Sequence, residues 1–124
     1  MAPHFSDFAL LDLEGGWERP VGYPEGVGSK LLAGYLDEAK QRGRQTSLTR
    51  WEPGTRFDKV LAHDYVEEVL VLEGELLCID DSGAVVDRIP RNSYVCRPAG
   101  VPHGPFRSDT GFVSVEFCYY PNSE

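Results

Sequence analysis

The chain has 124 residues, 41% hydrophobic and 26% charged, with a net charge of −8 and a pI near 4.8. That length suits one core built without disulfide or metal staples. The acidic balance excludes partners recognised through phosphate, so neither nucleic acid nor a membrane surface is expected. No apolar run approaches the length of a bilayer span, and "MAPHFSDFAL" has neither the basic region nor the apolar stretch of a targeting signal, which predicts a cytoplasmic address.

In chain order, residues 1–28 come first. With "LEGG" and "RPVGYPEGVG" and little periodicity, they read as an extended arm that packs on the body or on a partner subunit, leaving 29–124 as the folded domain. His4, within the arm, has no role. Beyond it, 13 glycines and 9 prolines cut the chain into segments of strand length. Alternating or β-rich runs predict strands over 30–36, 46–51, 59–62, 68–79, 84–89, 93–97 and 112–120. "LDEAKQRG" at 36–43 is too short for more than a helical turn and is read as a loop. Glu73-Gly74-Glu75 is placed to bend or bulge the longest strand, and "DDSG" at 80–83 to turn the chain after it. The fold class is all-β, a double-sheet jelly roll or small barrel. Cys78, Cys96 and Cys118 lack metal or redox spacing and are expected as buried free thiols. The last strand is apolar on both faces through Phe112, Val113, Val115, Phe117, Tyr119 and Tyr120, more than one small barrel buries, and a homodimer follows.

Two stretches carry chemistry. In "LAHDYVEEVLVLEGEL" (61–76), Leu61 and His63 share a face by the two-residue strand period, and the turn after His63 returns Glu67 towards it. Glu67, Val69 and Val71 then fall on one side and Glu68, Leu70 and Leu72 on the other, so one glutamate of the pair faces inward. A buried carboxylate needs a partner, and a metal ion beside a histidine would serve. In "NSYVCRPAGVPHGPF" (92–106), Pro98 fixes φ and Gly100 tolerates unusual φ, so a tight turn aims His103 in one direction.

These stretches resemble the cupin superfamily, whose motifs read G-x5-H-x-H-x3,4-E-x6-G and G-x5-P-x-G-x2-H-x3-N. His63, Glu67, Gly74, Pro98, Gly100 and His103 stand at motif positions with the right spacing. Over about 44–120, from "RWEPG" to "RPAGVPHGPF" and beyond, the chain is similar to the ChrR-like cupin domains of anti-sigma factors. It departs from the pattern at four places: Leu61 replaces the first histidine, Gly54 falls one residue off, Asn92 replaces the second motif's opening glycine and Arg107 its asparagine. A second register, with His63 and Tyr65 as the histidine pair and Glu68 as the carboxylate, misses the spacing to Gly74 by one.

The resemblance implies a double-stranded β-helix, the jelly-roll cupin barrel, over 29–124. It also implies an interior site in which His63, Glu67 and His103 are both metal ligands and catalytic residues. Two imidazoles and a carboxylate match in type the facial triad of non-haem iron enzymes, so Fe(II) is favoured over Mn(II), Ni(II) or Zn(II). The implied activity is a small-molecule dioxygenase that cleaves diketones or hydroxyketones. The alternatives are an isomerase, cyclase or dehydratase, with or without metal, and a non-catalytic binding cupin. Arg50 and Arg97 are candidate contacts for an anionic or enolate substrate, and Trp51 and Phe106 are candidate pocket aromatics.

Overall fold

The computed structural model describes residues 8–121. Eight strands follow one another: β1 (Val27–Asp37), β2 (Arg42–Trp51), β3 (Thr55–Phe57), β4 (Val66–Ile79), β5 (Val85–Pro90), β6 (Tyr94–Arg97), β7 (Phe106–Ser108) and β8 (Phe112–Tyr119). There is no helix among the described residues, and so none long and apolar enough to cross a membrane. Pairing is antiparallel in the order β1-β2-β8-β4-β7-β3, with β5 and β6 also on β4.

β4 belongs to both layers. Its first part, up to Gly74, pairs with β6 and β8; its second part, from Glu75, pairs with β5 and β7. The changeover is the expected bulge, a register shift between Val71 and Glu73, and it reverses which side chains face inward: Glu67, Val69 and Val71 before it, Leu76 after it. Gly74 sits there with φ of 74°, and a Cβ would fall 1.9 Å from the Gly111 carbonyl oxygen, so no other residue fits. Between the layers lies the main core cluster: Val27, Trp51, Phe57, Leu76, Phe106 and Phe112.

Several expectations need correction. Residues 59–62 are not a strand: the pairing segment is β3, at Thr55–Phe57, and Leu61 makes only a single bridge, to His103. The three-residue β7 was not anticipated, since so short a run has no readable period. Cys118 is buried, but Cys96 is exposed on the outer face of β6, and Cys78 is intermediate. The loop reading of 36–43 holds only for the tight turn closed by Gln41 N donating to Glu38 O: Leu36 and Asp37 end β1 and pair with Gly43 and Arg42, which begin β2.

The segment before β1 packs on its own barrel. Glu18 and Ser29 exchange two backbone hydrogen bonds, and the Trp17 ring lies beneath the Lys30 ammonium and the Arg50 guanidinium. Tyr23 stacks on Phe57 at 4.8 Å. His4 lies outside the described residues.

Gly74→Ala should lower the unfolding free energy by more than about 2 kcal/mol, because it adds both a left-handed backbone penalty and a backbone clash. Urea denaturation of the two proteins measures the difference.

Candidate metal centre

Backbone hydrogen bonds hold the two histidine loops together. Leu61 N donates to His103 O and His103 N to Leu61 O, both at 2.8 Å, while Gly100 N donates to His63 O at 2.6 Å. Gly100 has φ of 82°, the left-handed geometry expected of that turn. Asn92, standing where the motif has glycine, also has positive φ, at 72°; asparagine tolerates that region better than other residues with a side chain.

With the loops joined, His63 and His103 lie 5.0 Å apart between ring centroids, and Tyr65 stacks on His63 at 4.6 Å. Glu67 projects inward from β4 and is 8% exposed, whereas Glu68 points outward and accepts a hydrogen bond from the Tyr94 hydroxyl. Donor atoms of His63, Glu67 and His103 all fall within 4.8 Å of one another. The spacing through Glu67 therefore assembles a three-residue cluster; the register through Tyr65 and Glu68 does not.

Two buried ring nitrogens in this cluster, His63 Nε2 and His103 Nδ1, have no hydrogen-bond partner. A buried polar atom without a partner is costly and marks where something else binds. Burial is the main cause that pushes the His103 pKa below its usual value, so its imidazole is neutral near pH 7 and has a lone pair to give. Ring nitrogens and a carboxylate suit a divalent first-row metal.

Arg97 changes the reading of Glu67. Its guanidinium donates to Glu67 Oε1 at 3.2 Å from the neighbouring strand β6, with both side chains largely buried. The buried carboxylate thus has a cationic partner in the protein itself, and its retention does not by itself require a metal. A carboxylate has two oxygens, however, and pairing through one leaves the other able to coordinate.

The cluster opens into a cavity of ≈ 180 Å³ between the layers. Leu61, Trp51, Arg97 and Phe106 all line it, so three of the four residues expected at the substrate belong there. Arg50 does not: it lies on the opposite face of β2, over the Trp17 ring and within reach of Leu13 O. Arg107, in the motif's asparagine position, also turns away, to Asp109 and the Gly83 carbonyl.

Glu116, on β8, is a cavity carboxylate that the sequence reading passed over. Its accessible surface belongs to the cavity wall. Desolvation, followed by the Glu67 carboxylate, raises its pKa to about 7, against the pull of a hydrogen bond from Thr49. Period-2 alternation inward from Phe112 was the available signal, but it was masked by the apolar residues on the other face. Glu67, Glu116 and Cys118 form a second close cluster. Burial raises the Cys118 thiol well above its usual range and keeps it protonated, which makes this the poorer cation site.

The profile of the ChrR cupin-like domain matches residues 17–119. The chain belongs to that cupin family. The match begins inside the segment expected as an arm, at the tryptophan that packs on the barrel. No curated protein matches this cupin in sequence. Among solved structures it is similar to an RmlC-like cupin from Shewanella frigidimarina NCIMB 400, with a TM-score of 0.66 and 18% identity over 98% of this chain and 94% of that one. It is also similar to an acetylacetone dioxygenase from Acinetobacter johnsonii, with a TM-score of 0.66 and 13% identity over 94% and 76% of the two chains. KdgF from Halomonas sp. aligns with a TM-score of 0.64 and 14% identity over 94% and 96%. At these identities the likeness is one of fold.

Glu116 yields a pH prediction. Its folded pKa of about 7 exceeds the ordinary 4.5, so between these values the folded state binds more protons than the unfolded state. The stability of metal-stripped protein should fall as pH rises from about 5 to about 7, and Glu116→Gln should flatten that slope. Denaturant midpoints across the range test it.

Proposed function

We propose that this cupin is a metal-dependent enzyme acting on a small organic molecule, with the ion held by His63, Glu67 and His103. One observation carries the reading: three donor side chains from two distant stretches converge beside a cavity, with two ring nitrogens left without partners. Fe(II) is favoured by the all-N,O donor set, followed by Mn(II), Ni(II) and Zn(II). Bound there, such an ion supplies Lewis-acid polarisation of a substrate oxygen and, if iron, access to oxygen chemistry. The favoured reaction is carbon–carbon cleavage of a diketone or hydroxyketone, and an acetylacetone dioxygenase of the same fold supports it.

The protein's own groups have definable parts. Arg97 holds Glu67 in place and presents positive charge to an anionic substrate. Trp51, Phe57 and Phe106 exclude water from the apolar side of the cavity. Tyr65 and Leu61 bracket the histidines, and Leu61 makes apolar the position that a fourth ligand takes in the full motif.

The Arg97–Glu67 pair favours a second reading, a cupin that isomerises, cyclises, dehydrates or simply binds its ligand without metal. Neutral His103 and the Glu116 carboxyl would then exchange protons with the ligand.

The site is proposed for a cytoplasmic homodimer, with the segment before residue 29 packed on the barrel. The outer face of the larger sheet supports self-association: Tyr94, Leu70 and Val115 lie side by side across β6, β4 and β8, and Tyr94 is 60% and Phe117 41% exposed. Phe117→Lys should convert a dimer to a monomer in sedimentation equilibrium.

Elemental analysis of tag-free protein purified without chelator should find close to one metal per chain. His103→Ala and Glu67→Ala should lose it while retaining cooperative unfolding. Leu61→His should bind metal more tightly, because Leu61 faces the same cavity. Absence of metal after reconstitution with each divalent ion would leave the metal-free reading.

A further inference from the structure

The cavity has two unlike walls. Along β2, Gln45, Ser47 and Thr49 alternate into it, while Leu48 falls on the opposite face. Ser47 is 5% and Thr49 9% exposed, so these are interior positions, where a barrel of this size would gain more from valine or leucine. Register extends the polar surface to both neighbours: Ser29 on β1 pairs with Thr49, and Glu116 on β8 pairs with Ser47. Beyond β8 the same sheet turns apolar, with Val69, Val71 and Val95 on β4 and β6, and the facing layer is apolar too, with Phe57 on β3, Leu76 on the second part of β4 and Phe106 on β7. A run of interior polar groups is costly unless hydrogen bonds satisfy it.

We propose that Ser29, Gln45, Ser47, Thr49 and Glu116 form a hydroxyl-binding wall, and that the ligand is a short polyhydroxylated carbonyl compound. Its carbonyl end lies at the His63, Glu67 and His103 cluster and its hydroxyls lie along β2. This rests on the reading that the cavity takes a small organic molecule at that cluster. Hydroxyls both donate and accept, as do serine, threonine and glutamine, so the two surfaces can pair in either sense. A plain diketone has at most one enol hydroxyl, at its carbonyl end, and nothing to place along β2. With a volume of ≈ 180 Å³ the cavity is small, which favours a short skeleton.

The test uses matched probes: erythrulose, butan-2-one, which shares its four-carbon ketone skeleton without the hydroxyls, and pentane-2,4-dione. Affinities are measured by calorimetry on metal-reconstituted and metal-stripped protein, with metal content assayed in parallel. Erythrulose should bind at least about tenfold more tightly than either apolar probe, the equivalent of one or two net hydrogen bonds. Thr49→Val, which keeps the side-chain shape, and Ser47→Ala should each erode that preference without altering metal content. The proposal is overturned if butan-2-one or pentane-2,4-dione binds as well as erythrulose, if erythrulose does not bind, or if both variants keep the full preference. Selective erythrulose binding by protein that takes up no metal would preserve the wall and refute the metal reading. Stoichiometric metal without the selectivity would do the reverse.

Discussion

Everything at this site depends on a short piece of main-chain pairing. The Leu61–His103 bridge and the Gly100–His63 hydrogen bond join two loops that are forty residues apart in sequence. Each bond contributes only about 1 kcal/mol net, but together they fix the two histidine backbones relative to one another. The backbones are thereby set by main-chain pairing, and one nitrogen of each ring, His63 Nε2 and His103 Nδ1, remains without a partner inside the protein. Tyr65 adds a stacked face to His63, and Tyr120 and Gln41 anchor Asp64, the next residue, through its carboxylate.

The electrostatics follow from cross-strand register. Gln45, Cys118, Glu67 and Arg97 form one row across β2, β8, β4 and β6, and Ser47, Glu116, Val69 and Val95 form the next. Two carboxylates and one guanidinium therefore meet at one side of the cavity. The Arg97 pairing answers the desolvation of Glu67 directly, while Glu116 answers its own by holding a proton more tightly.

Much of this was readable in the sequence, for physical reasons that differ by residue. The motif spacing placed His63, Glu67 and His103 together because two-residue alternation and two tight turns leave little freedom, and the same alternation sent Glu67 inward and Glu68 outward. Gly74 was legible as a bulge because glycine within a long strand has few other uses. What escaped was set by register between distant strands. Local sequence does not say that Arg97 would lie beside Glu67, that Arg50 would face away onto the Trp17 ring, or that Glu116 would stand at the cavity. The polar inner face of β2 was hidden for another reason: "RQTSLTRW" puts its polar residues towards the cavity, while its leucine is buried on the other face of the strand.

The central claim is that His63, Glu67 and His103 surround one ion. Titration of metal-stripped protein with Co(II), followed by visible absorption, tests it most directly, since the d–d bands report the ligands themselves. The account predicts saturation at one equivalent, and loss or displacement of the bands when any one of the three residues is replaced by alanine. Bands that never saturate, or that are unchanged in all three variants, would contradict it.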